Sequence, residues 1–218
     1  MKVMMKITIQ TWVVIFCCGV FIASADEKAL QINWDNLIPA HLKSEDLLKD
    51  LDEDQLDMVH WVINTLESLP KRGPETKEYY QEIDKAMPAL KKAGIDIVAV
   101  MEKRKRIRTA MAEELNGKYV RIPGYLLPLE ISRNAVTEFL LVPYLGACIH
   151  VPPPPPNQIV LVKTASKKGY KNKQLYDPVW VTGVLSIQSM VKDLYLVDGS
   201  AEINIGYAMK ADQIEPYE

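Results

Sequence analysis

The sequence predicts an α+β protein: a helical hairpin or three-helix appendage followed by a small OB-like β-barrel. Three observations carry that reading. Up to about Leu115, apolar residues recur at three- and four-residue spacing, the period of a helix with one buried stripe. From Lys118 onward the chain breaks into short runs rich in Val, Ile, Leu and Tyr, separated by Pro, Gly, Asn and Lys-rich stretches. Ahead of both lies a leader whose composition matches neither half.

In that leader Lys2 and Lys6 precede an apolar run from Ile7 to Ile22, and Ala23-Ser24-Ala25 closes it before the polar Asp26. A basic start, a short apolar core and an A-x-A end mark a secretory signal peptide over residues 1–25, cleaved after Ala25. The run falls short of the roughly 20 apolar residues that a spanning helix requires. Val14, Ile15 and Phe16, before Cys17 and Cys18, are large where lipoprotein processing needs small residues. The expected product is an exported protein that is not integral to the membrane after cleavage.

Cleavage would remove two of the three cysteines and two lysines from a chain whose formal net charge is −2. Cys148 would then be alone, so no intramolecular disulfide staples the fold. A mildly acidic chain has no electrostatic reason to seek nucleic acid, because phosphate binding needs clustered positive charge. The one such cluster is Lys103-Arg104-Lys105-Arg106 with Arg108. Glu102, Glu113 and Glu114 flank it on what reads as a helix, so a solvated face is expected ahead of a docking surface for an acidic partner or anionic lipid.

The helical region spans residues 26–116. Leu56, Val59, Val62, Ile63 and Leu66 make the first stripe, with Asp52, Glu53 and Asp54 at its N-terminus, where negative charge is favourable. A second helix begins near Pro74-Glu75, and Pro88 inside its stripe demands a kink or break. Gly94 is a further interruption, and a third helix runs from Ile95 to Leu115. His60, beside Trp61, is expected to be half-buried and His41 to lie at the surface.

Residues 117–218 hold the barrel. Five or six short strands with hairpin connections favour a closed or nearly closed barrel, and a five-stranded OB-like barrel fits the count. Asp198-Gly199 reads as a tight hairpin turn. Thr164 to Asp177 reads as a basic loop where OB barrels often carry a helix.

The stretch with chemical character is LVPYLGACIHVPPPPPNQIVLV, Leu141 to Val162. Pro152, Pro153, Pro154, Pro155 and Pro156 cannot pair as an interior strand. They predict a polyproline II rod of about 15 Å at roughly 3.1 Å per residue. If the preceding strand persists, Cys148 and His150 share a face. A thiolate and an imidazole there suit zinc or copper, or form a nucleophile–base pair. The competing reading is a cysteine tucked into the barrel and a histidine bonded to the backbone of the proline turn. No phosphate loop, nucleophile elbow, dinucleotide fingerprint or H-E-x-x-H occurs, and DLDEDQLD lacks the glycine and terminal glutamate of an EF-hand loop. The sequence therefore assigns no catalytic residue.

The phrases VRIPGYLLPLE and GACIHVPPPPPNQ resemble an exported bacterial family, the domain of unknown function 3299, over roughly Lys118 to the C-terminus. The resemblance implies an OB-like barrel in the periplasm of Gram-negative bacteria with no assigned reaction. It also implies genes near ABC-type permease components and other exported proteins, some tied to metal supply. It points to Gly146, Cys148, His150, the proline run, Asn157 and Gln158. The function expected is a non-enzymatic periplasmic binding or accessory protein, in transition-metal handling or serving an ABC-type envelope transporter. The alternatives are an enzyme with Cys148 as nucleophile and His150 as base, and a structural envelope protein docking through Lys167-Lys168-Gly169-Tyr170-Lys171.

Overall fold

The computed structural model describes residues 28–43, 47–148, 153–165, 169–171, 174, 176–196 and 199–217. The leader read at residues 1–25 lies outside them, as do Lys167 and Lys168 of the basic loop. The described chain is a mix of helices and a six-stranded sheet, an α+β protein.

The first strand, β1 (Leu30–Gln31), is followed by a one-turn 3₁₀ segment and the short helix α1 (Ala40–Lys43). Helix α2 (Glu53–Ser68) starts at Asp52, whose carboxylate accepts the Gln55 N–H while the Gln55 side chain accepts the Asp52 N–H. That reciprocal cap satisfies two of the donors a helix start leaves orphaned. Helices α3 (Lys77–Lys92) and α4 (Ile97–Thr109) pack on it, and Val59, Val62, Ile63, Ile83, Leu90, Ile95, Ile97 and Val100 form the shared core.

Two sequence expectations are corrected here, and of the kink or break expected at Pro88 the break is excluded. Helix α3 runs through Pro88 without a break. Pro88 stands on the exposed face, where water can take the carbonyl that its missing N–H leaves unbonded. The interruption falls at Gly94, which adopts φ +78°, while the Ile95 N–H donates to the Leu90 carbonyl in a left-handed helix cap. The last helix does not reach Leu115. It stops at Thr109, Ala110 is extended, and a single 3₁₀ turn covers Glu113–Leu115. The Ala112 N–H is committed to the hydroxyl of the distant Tyr207 at 2.6 Å, a bond that competes with helix continuation. His60 is exposed rather than half-buried.

The remaining strands are β2 (Tyr119–Ser132), β3 (Ala135–Val142), β4 (Val160–Thr164), β5 (Asp177–Leu196) and β6 (Gly199–Pro216). The sheet order is β1-β2-β3-β4-β6-β5, and β2 also pairs with β5. The first half of β2 lies antiparallel to β5 and the second half antiparallel to β3. Among the larger strands, β4 and β6 make the one parallel pairing. Following the pairings from β2 through β3, β4, β6 and β5 therefore leads back to β2.

The two segments read as separate strands at PVWVTGVLSI and LYLV are one strand, β5, with a register shift between Ile187 and Met190. The hairpin between β5 and β6 is present. Leu196 pairs with Gly199, so Gly199 is the first residue of β6, and Asp198 lies outside the described residues.

Both faces of β3 are buried, which explains the near-continuous apolar run AVTEFLLV. One face joins Val120, Ile122, Leu126, Val179, Val181, Leu185, Tyr207 and Met209 in the main core. The other carries Leu140 and Val142, and the outer part of the β5–β6 hairpin covers it with Leu194, Ile203 and Ile205. The Tyr207 hydroxyl, fully buried, accepts the Ala112 N–H and donates to the Leu37 carbonyl at 2.8 Å, tying β6 to both ends of the helical segment.

Candidate functional site

The chain leaves β3 at Val142 and turns before the prolines. Gly146 (φ +81°) and Cys148 (φ +70°) adopt left-handed backbone there, so this segment is not a strand. The alternation argument that set Cys148 and His150 on one face required the strand to persist, and it has ended before Cys148. His150 and Pro152 lie outside the described residues.

Cys148 is 5% exposed and packs with Leu140, Val142, Ile159, Leu194, Ile203 and Ile205. The Tyr176 hydroxyl donates to the carbonyl of the preceding Ala147 and pins the turn. Burial pushes the thiol up to about 11, so it is protonated at neutral pH, and a protonated thiol is a poor nucleophile. Among the described residues no three His, Cys, Asp or Glu side chains converge in a metal-holding group. Iodoacetamide should therefore alkylate native Cys148 at pH 8 at least about a hundredfold more slowly than the urea-unfolded chain. Comparable rates in the two states would overturn the assignment of a buried, inert thiol.

The prolines have a definite structural task. Pro153 is exposed and Pro154 buried, and Pro155 has polyproline II geometry at φ −62°, ψ 157°. Pro156 then opens a 3₁₀ turn with Asn157 and Gln158, so the rod ends one residue sooner than the sequence suggested. Asn157 is fully buried, and its amide donates to the carbonyls of Ile107 at 2.6 Å and Ala110 at 2.9 Å. Those carbonyls lie at the C-terminal end of α4, where a helix leaves its acceptors unpaired. Gln158 donates to the Trp34 carbonyl at 3.0 Å. A side chain added at Gly206 would collide with Met111 and with the Pro156 carbonyl, so β6 also presses on this turn.

The clamp between the proline turn and α4 creates a groove of 610 Å³, within the size range of ligand clefts. Val98, Met101, Glu102, Lys105, Arg108 and Thr109 of α4 line it, with Pro155, Pro156 and Glu67 of α2. Val98 is 63% exposed although it is a large apolar side chain on a helix. Arg104 and Arg108 ion-pair with Glu67 at 3.8 and 3.6 Å. Tyr144 and Leu145, exposed in the turn after β3, extend the apolar surface, and Tyr144 feels the charge of Arg108.

A second groove, 920 Å³, lies over β4, β5 and β6 and includes Lys163, Lys192 and Lys210. Its organising group is Glu138, 4% exposed, which accepts from Lys163 and Lys192 at 2.9 Å each. Burial raises the Glu138 carboxyl, but the two ammonium hydrogen bonds outweigh it, and the group is held below its ordinary value of 4.5. A depressed folded value means the contribution is complete above the unfolded value and disappears as pH falls through the folded one. Glu138→Gln should cost about 1 kcal/mol at pH 7, given the exposed lysine side of the pairs. The difference should vanish in acid denaturation below the folded value; an equal gap at pH 3 and pH 7 would contradict it. Lys192 belongs to β5 and Glu138 to β3, so the pair fastens the hairpin to the face it covers.

The residues singled out by sequence thus divide. Pro155, Pro156, Asn157 and Gln158 converge on α4 and the first residues of the domain, Gly146 and Cys148 shape a buried turn, and His150 is not described. Of the lining residues, Val98 and Met101 were not assigned to a site by sequence, and for Lys105 and Arg108 a docking surface ranked behind a solvated face. Their signal was present, because Val98, Met101, Lys105 and Arg108 follow helical spacing, but the charges read as a solvated face.

The family model described as "Protein of unknown function (DUF3299)" matches residues 34–216. Among solved structures, a DUF3299 family protein from Pseudomonas aeruginosa PAO1 is similar at 32% identity, covering 87% of this chain and 97% of that chain with a TM-score of 0.46. No match is found among curated proteins.

Proposed function

The chain belongs to the DUF3299 family, whose description assigns no function, and on that premise we propose an exported, periplasmic binding or accessory protein without catalytic chemistry of its own. Its recognition surface is the groove between α4 and the proline turn. The observation that carries this reading is the construction of that groove. A buried Asn157 clamps the end of α4 to a turn already stiffened by proline, and the space between them is lined by exposed apolar and charged side chains. Walls ordered in advance lose little conformational entropy when a partner arrives, and this raises affinity. The neutral, apolar-packed Cys148 favours binding over nucleophilic catalysis.

The scaffold in this reading is an OB-like barrel. The return pairing of β2 with β5 and the single parallel pairing within that cycle support a five-stranded Greek-key closure. The hairpin lying over β3 would then occupy part of the face that OB barrels commonly offer to ligands, which leaves the α4 side as the open one. Among the described residues no helix is long and apolar enough to cross a membrane.

A photocrosslinking amino acid at Val98, compared with one at the exposed Tyr79 on α3, tests the surface in cells. One discrete, identifiable adduct from Val98 alone is expected, in the periplasmic fraction. Adducts that do not distinguish the two positions would overturn the groove as the recognition surface, and recovery of the chain from the cytoplasm would overturn the compartment.

A further inference from the structure

Resting on the reading of that groove as a partner site, we infer that its occupant is an acidic peptide segment, apolar at one end and carrying carboxylates at the other. The six lining positions of α4 (98, 101, 102, 105, 108 and 109) fall on one stripe, so the groove follows the helix axis. Val98 and Met101 form its apolar end, and Lys105 and Arg108 form its cationic end, roughly 10 Å further along at about 1.5 Å of rise per residue.

Charge decides the chemistry of the occupant. The whole chain is slightly acidic, yet besides the buried Lys103, α4 presents Arg104, Lys105, Arg106 and Arg108 within five residues. Of the two lining carboxylates, Glu67 is shared between Arg104 and Arg108, so its single negative charge leaves one of that pair's positive charges uncompensated. Glu102 stands between the two ends and repels a carboxylate placed beside it, so the partner's acidic groups are directed to Lys105 and Arg108. A concentrated positive patch within an acidic surface focuses the field and steers an anionic segment into register. The shape selects a peptide over a bilayer. Pro155 and Pro156 wall one side of the groove and α4 the other, and a planar lipid surface cannot enter the space between them.

The test is selection of a displayed random peptide library on the full-length chain, repeated on Val98→Asp and on the double variant Lys105→Glu/Arg108→Glu. All three positions are exposed or line the groove, and thermal melts of the variants check that the fold is kept. Selected peptides should combine a cluster of apolar residues with Asp or Glu on one flank. They should lose at least about tenfold in affinity on the charge-reversed chain, with a similar loss at high salt. Peptides that bind the charge-reversed chain as well as the parent overturn the acidic assignment and leave the groove standing. Peptides indifferent to Val98→Asp as well, or no selected peptide, overturn the groove itself. Co-sedimentation with phosphatidylglycerol vesicles is the competing arm. Vesicle binding lost on charge reversal, with no peptide selected, assigns the cations to a lipid surface and sinks the proposal.

Discussion

Asn157→Asp is expected to lower the unfolding free energy by about 3–5 kcal/mol at pH 7, enough to threaten the fold. The native amide is fully buried and gives both its hydrogens to carbonyls at the end of α4. A carboxylate has no hydrogens to give. It would stand against those oxygens at the negative end of the helix dipole. Asn157→Ala removes the donors without adding charge and should cost about 2–3 kcal/mol.

The pH dependence separates the two variants. In Asn157→Asp the buried carboxyl is raised in the folded state, because burial and the facing carbonyls favour the neutral form. The variant therefore gains stability as pH falls through that raised value towards the unfolded one, whereas the alanine variant does not. Urea unfolding at pH 7 and pH 5, with amide exchange over the last turn of α4, would measure both effects. An aspartate variant within 1 kcal/mol of wild type at pH 7 would mean that the clamp contributes little.

Tyr207→Phe is the second large effect, expected at about 2–4 kcal/mol. The ring stays buried, so the apolar contacts remain. What disappears is one oxygen that satisfies the Ala112 N–H and the Leu37 carbonyl. Burial first, opposed by the Ala112 hydrogen bond, pushes the native phenol up to about 12 from 10.0. Its contribution is complete below the unfolded value of 10.0 and is lost as pH rises through the folded value. Wild type should therefore lose stability between pH 10 and 12 that Tyr207→Phe never had. Parallel alkaline unfolding profiles for the two proteins would show that the hydroxyl is not the link.

Local signals in this chain were legible, and tertiary ones were not. Asp52 announced the start of α2 because a cap acts over three residues. The extended half was visible from its β-branched composition, and β3 from an apolar run too continuous for a one-sided strand. The end of α4 was not visible, because the group that stops it is Tyr207, 95 residues from Ala112. Pro88 left two outcomes open for the opposite reason: proline weakens a helix everywhere, but whether it breaks one depends on which face it occupies. At the candidate site, the proline block stood out in the sequence and the helix end it packs on did not. Asn157 follows the prolines in sequence, yet what it holds is a helix end some fifty residues earlier. Cys148 drew attention through its chemistry, and the fold spends it on packing.

The placement of β6 bears on how the molecule is made. Among the described strands it is the last in sequence and the one that bridges β4 to β5, supplying the parallel neighbour of one and the long antiparallel partner of the other. A nascent chain that lacks residues 199–216 leaves both strands with bare edges and Tyr207 missing from between Leu37 and Ala112. Pairing of those edges must wait for residues 199–216, and it then joins residues far apart in sequence, which makes it slow. Until that moment β4 and β5 stay open to other pairings, and completion of β6 turns two reactive edges into a continuous ladder.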